Sequence, residues 1–276
     1  MQNFIWVCGL ATTIVFTNLN AQTLSAETVV IETRLGTMKL KLYEETPLHK
    51  SNFINLVKHG FYDSLMFHRV INNFMIQGGD PLSKKALPGD SLGHGDIGYW
   101  VPAEFNRQLI HKKGRLCAAR ENDEINPEQA SSGCQFYIVM GKVRTFEDLT
   151  KYEARINKNH YNNSAIRFRK SPRGRALEER LQQWKKTGNA DSIKALSAQI
   201  ESGIQEIHNA VPPYSFDNNQ VTTYTTVGGT PHLDGTYTVF GEVVEGIEVI
   251  DKIAGVSTDK RDRPLEDIRM KVYIER

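Results

Sequence analysis

The sequence predicts a mainly β protein, built as a closed antiparallel barrel, with a helical segment inserted late in the chain. Many short apolar or alternating runs are separated by turns, and only two amphipathic helical patterns lie among them. Between residues 142 and 228 the composition changes, and helix-forming residues replace the strand pattern. We therefore expect one barrel domain over residues 22–276, interrupted by a helical insertion at 142–228, because a loop of that length would be exceptional.

The first predicted elements are a hairpin and a helix. Residues 28–33 and 38–43 have the composition and alternation of strands, and they flank a turn at Gly36. Thr46 and Pro47 suit the cap and first position of a helix, whose apolar face carries Phe53, Leu56 and Val57. Glycine at position 60 predicts the end of this helix.

The later elements follow the same logic on both sides of the insertion. Strands are predicted over residues 114–120, 132–140, 237–243 and 270–274. A second short amphipathic helix is predicted over residues 246–254, where isoleucines recur at helical spacing. Together with the first helix, it gives the barrel two helices.

Overall composition excludes few classes of function. The 276 residues are 39% hydrophobic and 24% charged, with a net charge of +2, so no global field attracts nucleic acid. Three cysteines are too few for a disulfide framework, and the eight histidines show no pair at ligand spacing. We expect no metal, no cofactor and no nucleic-acid partner. A basic run at residues 167–175 leaves RNA binding open as an alternative to a solvated face, which we favour.

Residues 1–21 have the pattern of a signal peptide. The apolar run from Phe4 to Phe16 is too short to span a bilayer, and Leu19-Asn20-Ala21 suits cleavage before Gln22. The start of the chain lacks lysine and arginine, so a buried N-terminal helix is the alternative. A lipid anchor at Cys8 lacks the small residue expected before it. We expect a periplasmic or secreted protein without a stable membrane span.

The stretch from Phe67 to Asp80 carries the candidate chemistry. It has the pattern of a strand, an Asn-Asn turn, a second strand and a Gly-Gly end. Arg69 supplies a permanent cation, Gln77 a primary amide, and Phe74 and Met75 two apolar groups. This set suits a neutral amide with an apolar ring, such as a proline peptide bond. The alternatives are barrel core for the apolar residues and a surface ion pair for the arginine.

Four separated motifs resemble the cyclophilin family. They are Phe67-His68-Arg69-Val70-Ile71, Phe74-Met75-Ile76-Gln77-Gly78-Gly79-Asp80, Gln135-Phe136-Tyr137-Ile138, and Leu233-Asp234-Gly235 followed by Val239-Phe240-Gly241. The similarity covers roughly residues 28–140 and 229–276. It implies an eight-stranded antiparallel barrel capped by two α-helices, with peptidyl-prolyl cis-trans isomerase activity.

The resemblance also implies the site residues. Arg69 and Gln77 are expected to be catalytic, with Arg69 stabilising the twisted amide. The expected substrate-binding residues are Phe74, Met75, Ala119, Arg120, Gln135, Tyr137, His232, Leu233 and Tyr237. Three of these depart from the best-known family pattern, which has tryptophan at His232, histidine at Tyr237 and asparagine at Arg120. His232 predicts weak cyclosporin binding, whereas Arg120 puts one substrate contact in doubt and places an extra cation at the rim.

The expected function is peptidyl-prolyl isomerisation of X-Pro bonds in exported proteins during folding. The expected partners are proline-containing polypeptides that are unfolded or flexible, and the expected state is a monomer. The alternative is a non-catalytic proline-peptide binding or chaperone module whose helical insert docks a partner. The client proteins, the role of the insert and the pairing of Cys117 with Cys134 stay open at this point.

Overall fold

The structure is a computed structural model that describes residues 27–275 of the chain. The signal peptide predicted at residues 1–21 and its Cys8 lie outside the described residues. The strands are β1 (Thr28–Thr33), β2 (Gly36–Leu42), β3 (Phe67–Ile71), β4 (Met75–Gly78), β5 (Trp100–Val101), β6 (Arg115–Ala118), β7 (Ser131–Ser132), β8 (Phe136–Val139), β9 (Val239–Glu245) and β10 (Met270–Ile274). The helices are α1 (Pro47–Lys58), α2 (Phe146–Lys170), α3 (Pro172–Thr187), α4 (Ala190–His208), α5 (Asn218–Thr226) and α6 (Glu248–Ala254).

Eight strands form one antiparallel sheet in the order β10-β1-β2-β9-β6-β8-β4-β3, while β5 and β7 pair separately. The predicted hairpin of β1 and β2 shows why the strands form. Alternate residues of β2 bury Met38, Leu40 and Leu42, and the lysines between them face outward. Gly36 enters β2 with a φ of 137°, and a Cβ there would lie 2.7 Å from Val249 Cγ2. The order of the eight strands confirms the prediction of an eight-stranded antiparallel sheet.

The sheet is curled into a half-barrel, so the prediction of a closed barrel is wrong. Its edge strands, β3 and β10, meet only where they begin, at an isolated bridge between Met66 and Arg269. Further along β3, the amide of Val70 donates instead to the carbonyl of Asp262, at 2.8 Å. The irregular loop before β10 therefore lies against the outer edge of β3 and takes hydrogen bonds that a closing strand would need.

Two helices cover the sheet, as predicted. The first helix, α1, begins with Pro47 at its N-terminal end and buries Phe53, Leu56 and Val57 against the strands. Near the end of the chain, α6 buries Ile250 and Ile253 in the same core. That core is a continuous cluster of aliphatic and aromatic side chains between the concave sheet and these helices.

The helical segment predicted at 142–228 contains α2, α3, α4 and α5. A capping box begins α2, in which Thr145 Oγ1 accepts from the amide of Asp148 and the Asp148 carboxylate accepts in return. The first three of these helices share a small apolar core around Phe168, and α4 passes so close that a Cβ at Gly203 would overlap this ring. The segment is therefore a packed helical unit with its own core.

The basic run at residues 167–175 lies where α2 joins α3. Some of its arginines form surface ion pairs, from Arg167 to Glu128 at 3.3 Å and from Arg173 to Glu206 at 3.0 Å. Carboxylates thus neutralise part of the positive charge of this surface. Within residues 27–275, no helix is both long enough and apolar enough to cross a membrane.

Candidate active site

All but two of the predicted site residues line a single cavity of about 160 Å³ on the sheet. The two that do not line it directly, Gln135 and His232, contact residues that do. The lining residues are Arg69, Phe74, Met75, Gln77, Ala119, Arg120, Tyr137, Leu233 and Tyr237. Residues from both sides of the helical segment therefore meet at one place.

Strand register explains how this convergence arises. Arg69 of β3 is paired with Gln77 of β4, Gln77 with Tyr137 of β8, and Tyr137 with Cys117 of β6. Directly paired residues in an antiparallel sheet project from the same face. These four side chains consequently form a row across neighbouring strands, with the guanidinium at its exposed end.

Apolar groups form the base and walls of the cavity. Met75 is 2% exposed and Tyr137 is 4% exposed, so both are fixed by packing. Phe74, Leu233 and Tyr237 are partly buried against the same cluster. A shallow apolar depression with a row of polar side chains beside it can hold a ring and bind the amide attached to it.

Arg69 is loosely held at the mouth of the cavity. Its side chain is 43% exposed, and its Nη1 donates to Gln77 Oε1 over a long distance of 3.4 Å. Its Nε lies 3.7 Å from the Asp262 carboxylate. A guanidinium has five N–H donors, so most of its donor capacity stays available to a ligand.

The two amides beside Arg69 are held in a chain of hydrogen bonds. Gln77 Nε2 donates to Gln135 Oε1 at 3.0 Å, and Gln135 Nε2 donates to the carbonyl of Gly95 at 2.8 Å. The backbone at Gly79 can lie close to the backbone at Cys134 because glycine has no side chain. A Cβ there would lie 2.3 Å from the carbonyl oxygen of Cys134. The orientation of both amides is therefore set before any ligand binds.

Arg120 behaves differently from the expected rim cation. Its side chain is 6% exposed, its Nη1 donates to Asp123 at 2.7 Å, and its Nε donates to the Thr236 carbonyl at 2.8 Å. The guanidinium also stacks on the ring of Tyr237 at 4.5 Å. It lines the cavity as a wall, and its charge is already paired with Asp123.

His232 lies behind the cavity instead of lining it. Its ring stacks on Phe74 at 5.6 Å and packs on the ring of Tyr152 in α2, also at 5.6 Å. Burial lowers the pKa of His232 to about 4, and the nearby charge of Arg155 acts in the same direction. The imidazole is therefore neutral at pH 7 and joins the helical segment to the pocket.

A buried polar network beside Tyr137 was missed in the sequence. Asp234 is 2% exposed, and its carboxylate accepts from His111 Nδ1 at 2.7 Å, from Tyr214 at 3.0 Å and from Tyr224 at 2.6 Å. His111 Nε2 lies 3.1 Å from the hydroxyl of Tyr137, the pocket wall. Asp234 lies in the motif Leu233-Asp234-Gly235, which was identified in the sequence. Its partners are distant in sequence, however, and no regular spacing predicts them.

Cys117 in β6 and Cys134, which lies between β7 and β8, are free and buried. Burial raises the pKa of the Cys134 thiol to about 11, so it is not a thiolate at neutral pH. Across residues 27–275, no group of three or more His, Cys, Asp or Glu side chains could hold a metal ion.

Comparison with known proteins is consistent with this geometry. The profile of the family described as "Cyclophilin type peptidyl-prolyl cis-trans isomerase/CLD" matches residues 28–170 and 214–274, which is most of the chain. A crystal structure of a cyclophilin type peptidyl-prolyl cis-trans isomerase from Cryptosporidium parvum superposes with a TM-score of 0.50. It is 19% identical and covers 91% of this chain and 98% of its own. This likeness supports the fold.

Two bacterial relatives are also similar in sequence. One, from Streptococcus pyogenes serotype M6, is named "Putative bifunctional phosphatase/peptidyl-prolyl cis-trans isomerase". It is 29% identical over 256 residues, which are 92% of this chain but 39% of the relative. Another, from Staphylococcus aureus strain USA300, is named "Putative peptidyl-prolyl cis-trans isomerase" and is 27% identical over 241 residues, 87% of either chain. The chain belongs to the cyclophilin family and is a cyclophilin-type peptidyl-prolyl cis-trans isomerase.

Proposed function

We propose that this enzyme accelerates X-Pro isomerisation in exported proteins during folding, and that Arg69 stabilises the twisted amide. One observation carries the proposal of mechanism. Arg69 stands at the mouth of an apolar pocket with spare donors, while its neighbour Gln77 is held in place by Gln135. A loosely partnered cation beside a proline-sized depression is suited to act on the amide nitrogen.

The reaction itself sets what the site must do. Amide resonance makes the barrier to rotation about 18–20 kcal/mol, and uncatalysed X-Pro bonds exchange over tens of seconds or longer. No covalent bond is made or broken. The enzyme must bind the twisted amide more tightly than either planar isomer.

A guanidinium meets this requirement. As resonance is lost, the proline nitrogen becomes pyramidal and more basic, and it accepts a hydrogen bond that a planar amide nitrogen does not. Arg69 donates this bond, and guanidinium groups keep their charge in proteins. An acceleration of about 10⁴–10⁵ requires a gain of about 5–7 kcal/mol in the transition state. The apolar walls of Phe74 and Met75 strengthen the bond by excluding water.

The remaining residues position the substrate. Met75, Tyr137 and Leu233 hold the proline ring, so the chain on its N-terminal side is the part that rotates. Gln77 and Gln135 bind the substrate backbone as donor and acceptor. Because packing and hydrogen bonds already fix these groups, little entropy is lost when substrate binds.

The substrates we propose are proline-containing polypeptides that are unfolded or flexible and have been exported. The support is the apolar, cleavable pattern of residues 1–21, which lie outside the described residues. Fractionation of cells producing the tagged full chain tests it. Recovery outside the cytoplasm with a mature N-terminus near Gln22 supports export, whereas recovery of uncleaved protein in the cytoplasm contradicts it.

An exchange assay separates catalysis from binding alone. NMR exchange spectroscopy on a short peptide with one X-Pro bond measures the interconversion of the two isomers in the presence of purified protein. We expect rapid exchange with the wild type and far slower exchange with Arg69→Ala. Arg34→Ala serves as a control, because Arg34 is an exposed arginine paired with Glu266 and lies outside the pocket.

A binding module without turnover is the second candidate. The observation that favours it is the contact of α2 with the pocket through Tyr152 and His232, which gives the helical segment direct access to a bound peptide. Peptide binding without any wild-type enhancement of exchange would support this candidate. Enhancement that Arg69→Ala leaves intact would contradict the proposed mechanism while leaving the enzyme activity in place.

A further inference from the structure

A second and larger depression continues from the proline pocket along the inserted helix. It encloses about 630 Å³ and shares Arg120, Leu233 and Tyr237 with the pocket, so the two are continuous. One wall is the loop around Asp123, and the other is a face of α2. We call this depression the α2 groove. A polypeptide whose proline occupies the pocket reaches the α2 groove within a few residues, at about 3.3–3.6 Å per residue when extended.

The face of α2 in the groove is a stripe at helical spacing. Arg155, Asn159, Asn162, Ile166 and Arg169 succeed one another by four, three, four and three residues, and all line the groove. Most of the stripe is polar. A helix face that only supported the fold against the sheet domain would be apolar.

The asparagines of α2 divide into two kinds. Asn157 donates to the carbonyl of Tyr214 at 2.9 Å, and Asn163 donates to that of Pro127, also at 2.9 Å. These two amides hold the helix in place. Asn159 and Asn162 have no hydrogen-bond partner among the residues that the structure describes, so their amides are free for a ligand backbone.

Charge in the α2 groove is also only partly compensated. Arg120 is paired with Asp123, and Arg169 with Glu178 at 3.2 Å. Arg155 makes no ion pair within residues 27–275, and its helical neighbours at three and four residues are Tyr152, Lys158, Lys151 and Asn159. Glu124 also lines the groove and is not paired with Arg155.

We infer that the α2 groove binds the part of the substrate chain flanking the proline, and that Arg155 selects an acidic residue there. Asn159 and Asn162 bind the substrate backbone, and the carboxylate of an Asp or Glu side chain pairs with Arg155. This inference rests on the proposed function, because the proline pocket fixes where the flanking chain lies. The helical segment thereby becomes a specificity element for proline-containing segments that carry acidic residues.

Peptides with a single central X-Pro bond test the inference. Each position up to four residues on either side of the proline carries Asp in one peptide and the isosteric Asn in another. We measure kcat/KM by exchange spectroscopy, and affinity by fluorescence anisotropy, at low and high salt. We expect Asp to be favoured by about threefold to fivefold at positions on one side only, the size of an exposed ion pair, and the preference to shrink with salt.

The variants decide which residue is responsible. With Arg155→Gln, the Asp-to-Asn ratio should fall to about one, and with Glu124→Gln it should rise. Lys158→Gln is the matched control, because it removes the same charge from the same helix outside the stripe. The double variant Asn159→Ala with Asn162→Ala should weaken long peptides but not four-residue ones.

A ratio of one at every position with the wild type at low salt overturns the inference, as does a ratio that survives Arg155→Gln. If the wild type catalyses no exchange, the proposed mechanism fails, and the anisotropy ratios still decide whether the α2 groove selects acidic residues.

Discussion

Two sides of the same pocket are held in opposite ways. On the open side, Arg69 is 43% exposed and its contacts are 3.4 and 3.7 Å long. On the opposite side, which we call the locked side, Arg120 and Asp234 are nearly buried and every charge has close partners. A group that binds a reacting atom needs spare donors, whereas a buried charge needs all its partners to be tolerated at all. Chemistry and stability are therefore assigned to different sides.

The largest expected effect is on catalysis and comes from a substitution on the open side. Arg69→Ala should lower kcat/KM by about 10²–10³, the typical loss when one transition-state donor is removed. Unfolding in urea should change by less than about 1 kcal/mol, because this arginine is half exposed and loosely paired. Arg69→Lys keeps the positive charge but not the planar set of N–H donors of the guanidinium, so it should recover only part of the rate. Loss of stability matching the loss of rate would remove the distinction between the two sides.

The next effect should come from the locked side. Asp234→Asn replaces one carboxylate oxygen with an NH2 group, so either His111, which contacts Oδ1, or the pair Tyr214 and Tyr224, which donate to Oδ2, loses its buried acceptor. We expect a loss of about 2–4 kcal/mol in the free energy of unfolding, measured in urea. Asp251→Asn is the control, since Asp251 is 46% exposed and pairs with Lys113 on the surface. If both variants lost the same small amount of unfolding free energy, the buried network would contribute little to stability.

A smaller loss of the same kind is expected at Arg120. Arg120→Met keeps much of the packing against Tyr237 but removes the donor to the Thr236 carbonyl and leaves Asp123 with Gln129 alone. Because Asp123 is 22% exposed and regains water, the cost should be about 1–3 kcal/mol. The folded variant should keep kcat/KM within about tenfold of the wild type. A loss of rate as large as that of Arg69→Ala would make Arg120 a direct participant.

Cyclosporin binding tests the residue behind the pocket, His232. His232 lacks the indole surface and donor of the common tryptophan, and its ring is already packed between Phe74 and Tyr152. We expect weak inhibition of peptide isomerisation by cyclosporin and tighter inhibition of His232→Trp. Submicromolar inhibition of the wild type would contradict this expectation.

The smallest expected effect on the rate is its dependence on pH. Burial lowers the pKa of His68 and of His232 from 6.5 to about 4, so both are neutral at pH 6–8. Guanidinium groups stay protonated throughout that range, so a mechanism whose donor is an arginine predicts a flat rate profile. Below about pH 6.5 the unfolded chain takes up protons that the folded chain does not, so stability falls towards pH 4. The slope is at most about 1.4 kcal/mol per pH unit for each histidine. A bell-shaped rate profile would indicate an acid or base in the reaction.

The open side could be predicted from the sequence because it is local. Arg69, Phe74, Met75 and Gln77 lie in one hairpin, and strand alternation with a short turn places them together. The helical segment was also predictable from its composition.

The locked side could not be predicted in the same way. Asp234 and His111 are joined across the helical segment, and the Arg120 side chain bonds to the Thr236 carbonyl without any periodic pattern. The prediction of a closed barrel failed for a related reason. The loop that carries Asp262 has no strand pattern in the sequence, yet it lies against the edge of β3.

The most direct test of the division between the two sides is how the effect of Arg69→Ala splits between binding and turnover. Affinity for a short X-Pro peptide and the catalysed exchange rate at saturation are measured by NMR on the same samples. A donor used only in the twisted state predicts an affinity within about twofold of the wild type and a rate at saturation lowered by about 10²–10³. An affinity that falls in parallel with kcat/KM, with the saturated rate unchanged, would show that Arg69 only holds the substrate and would contradict the account.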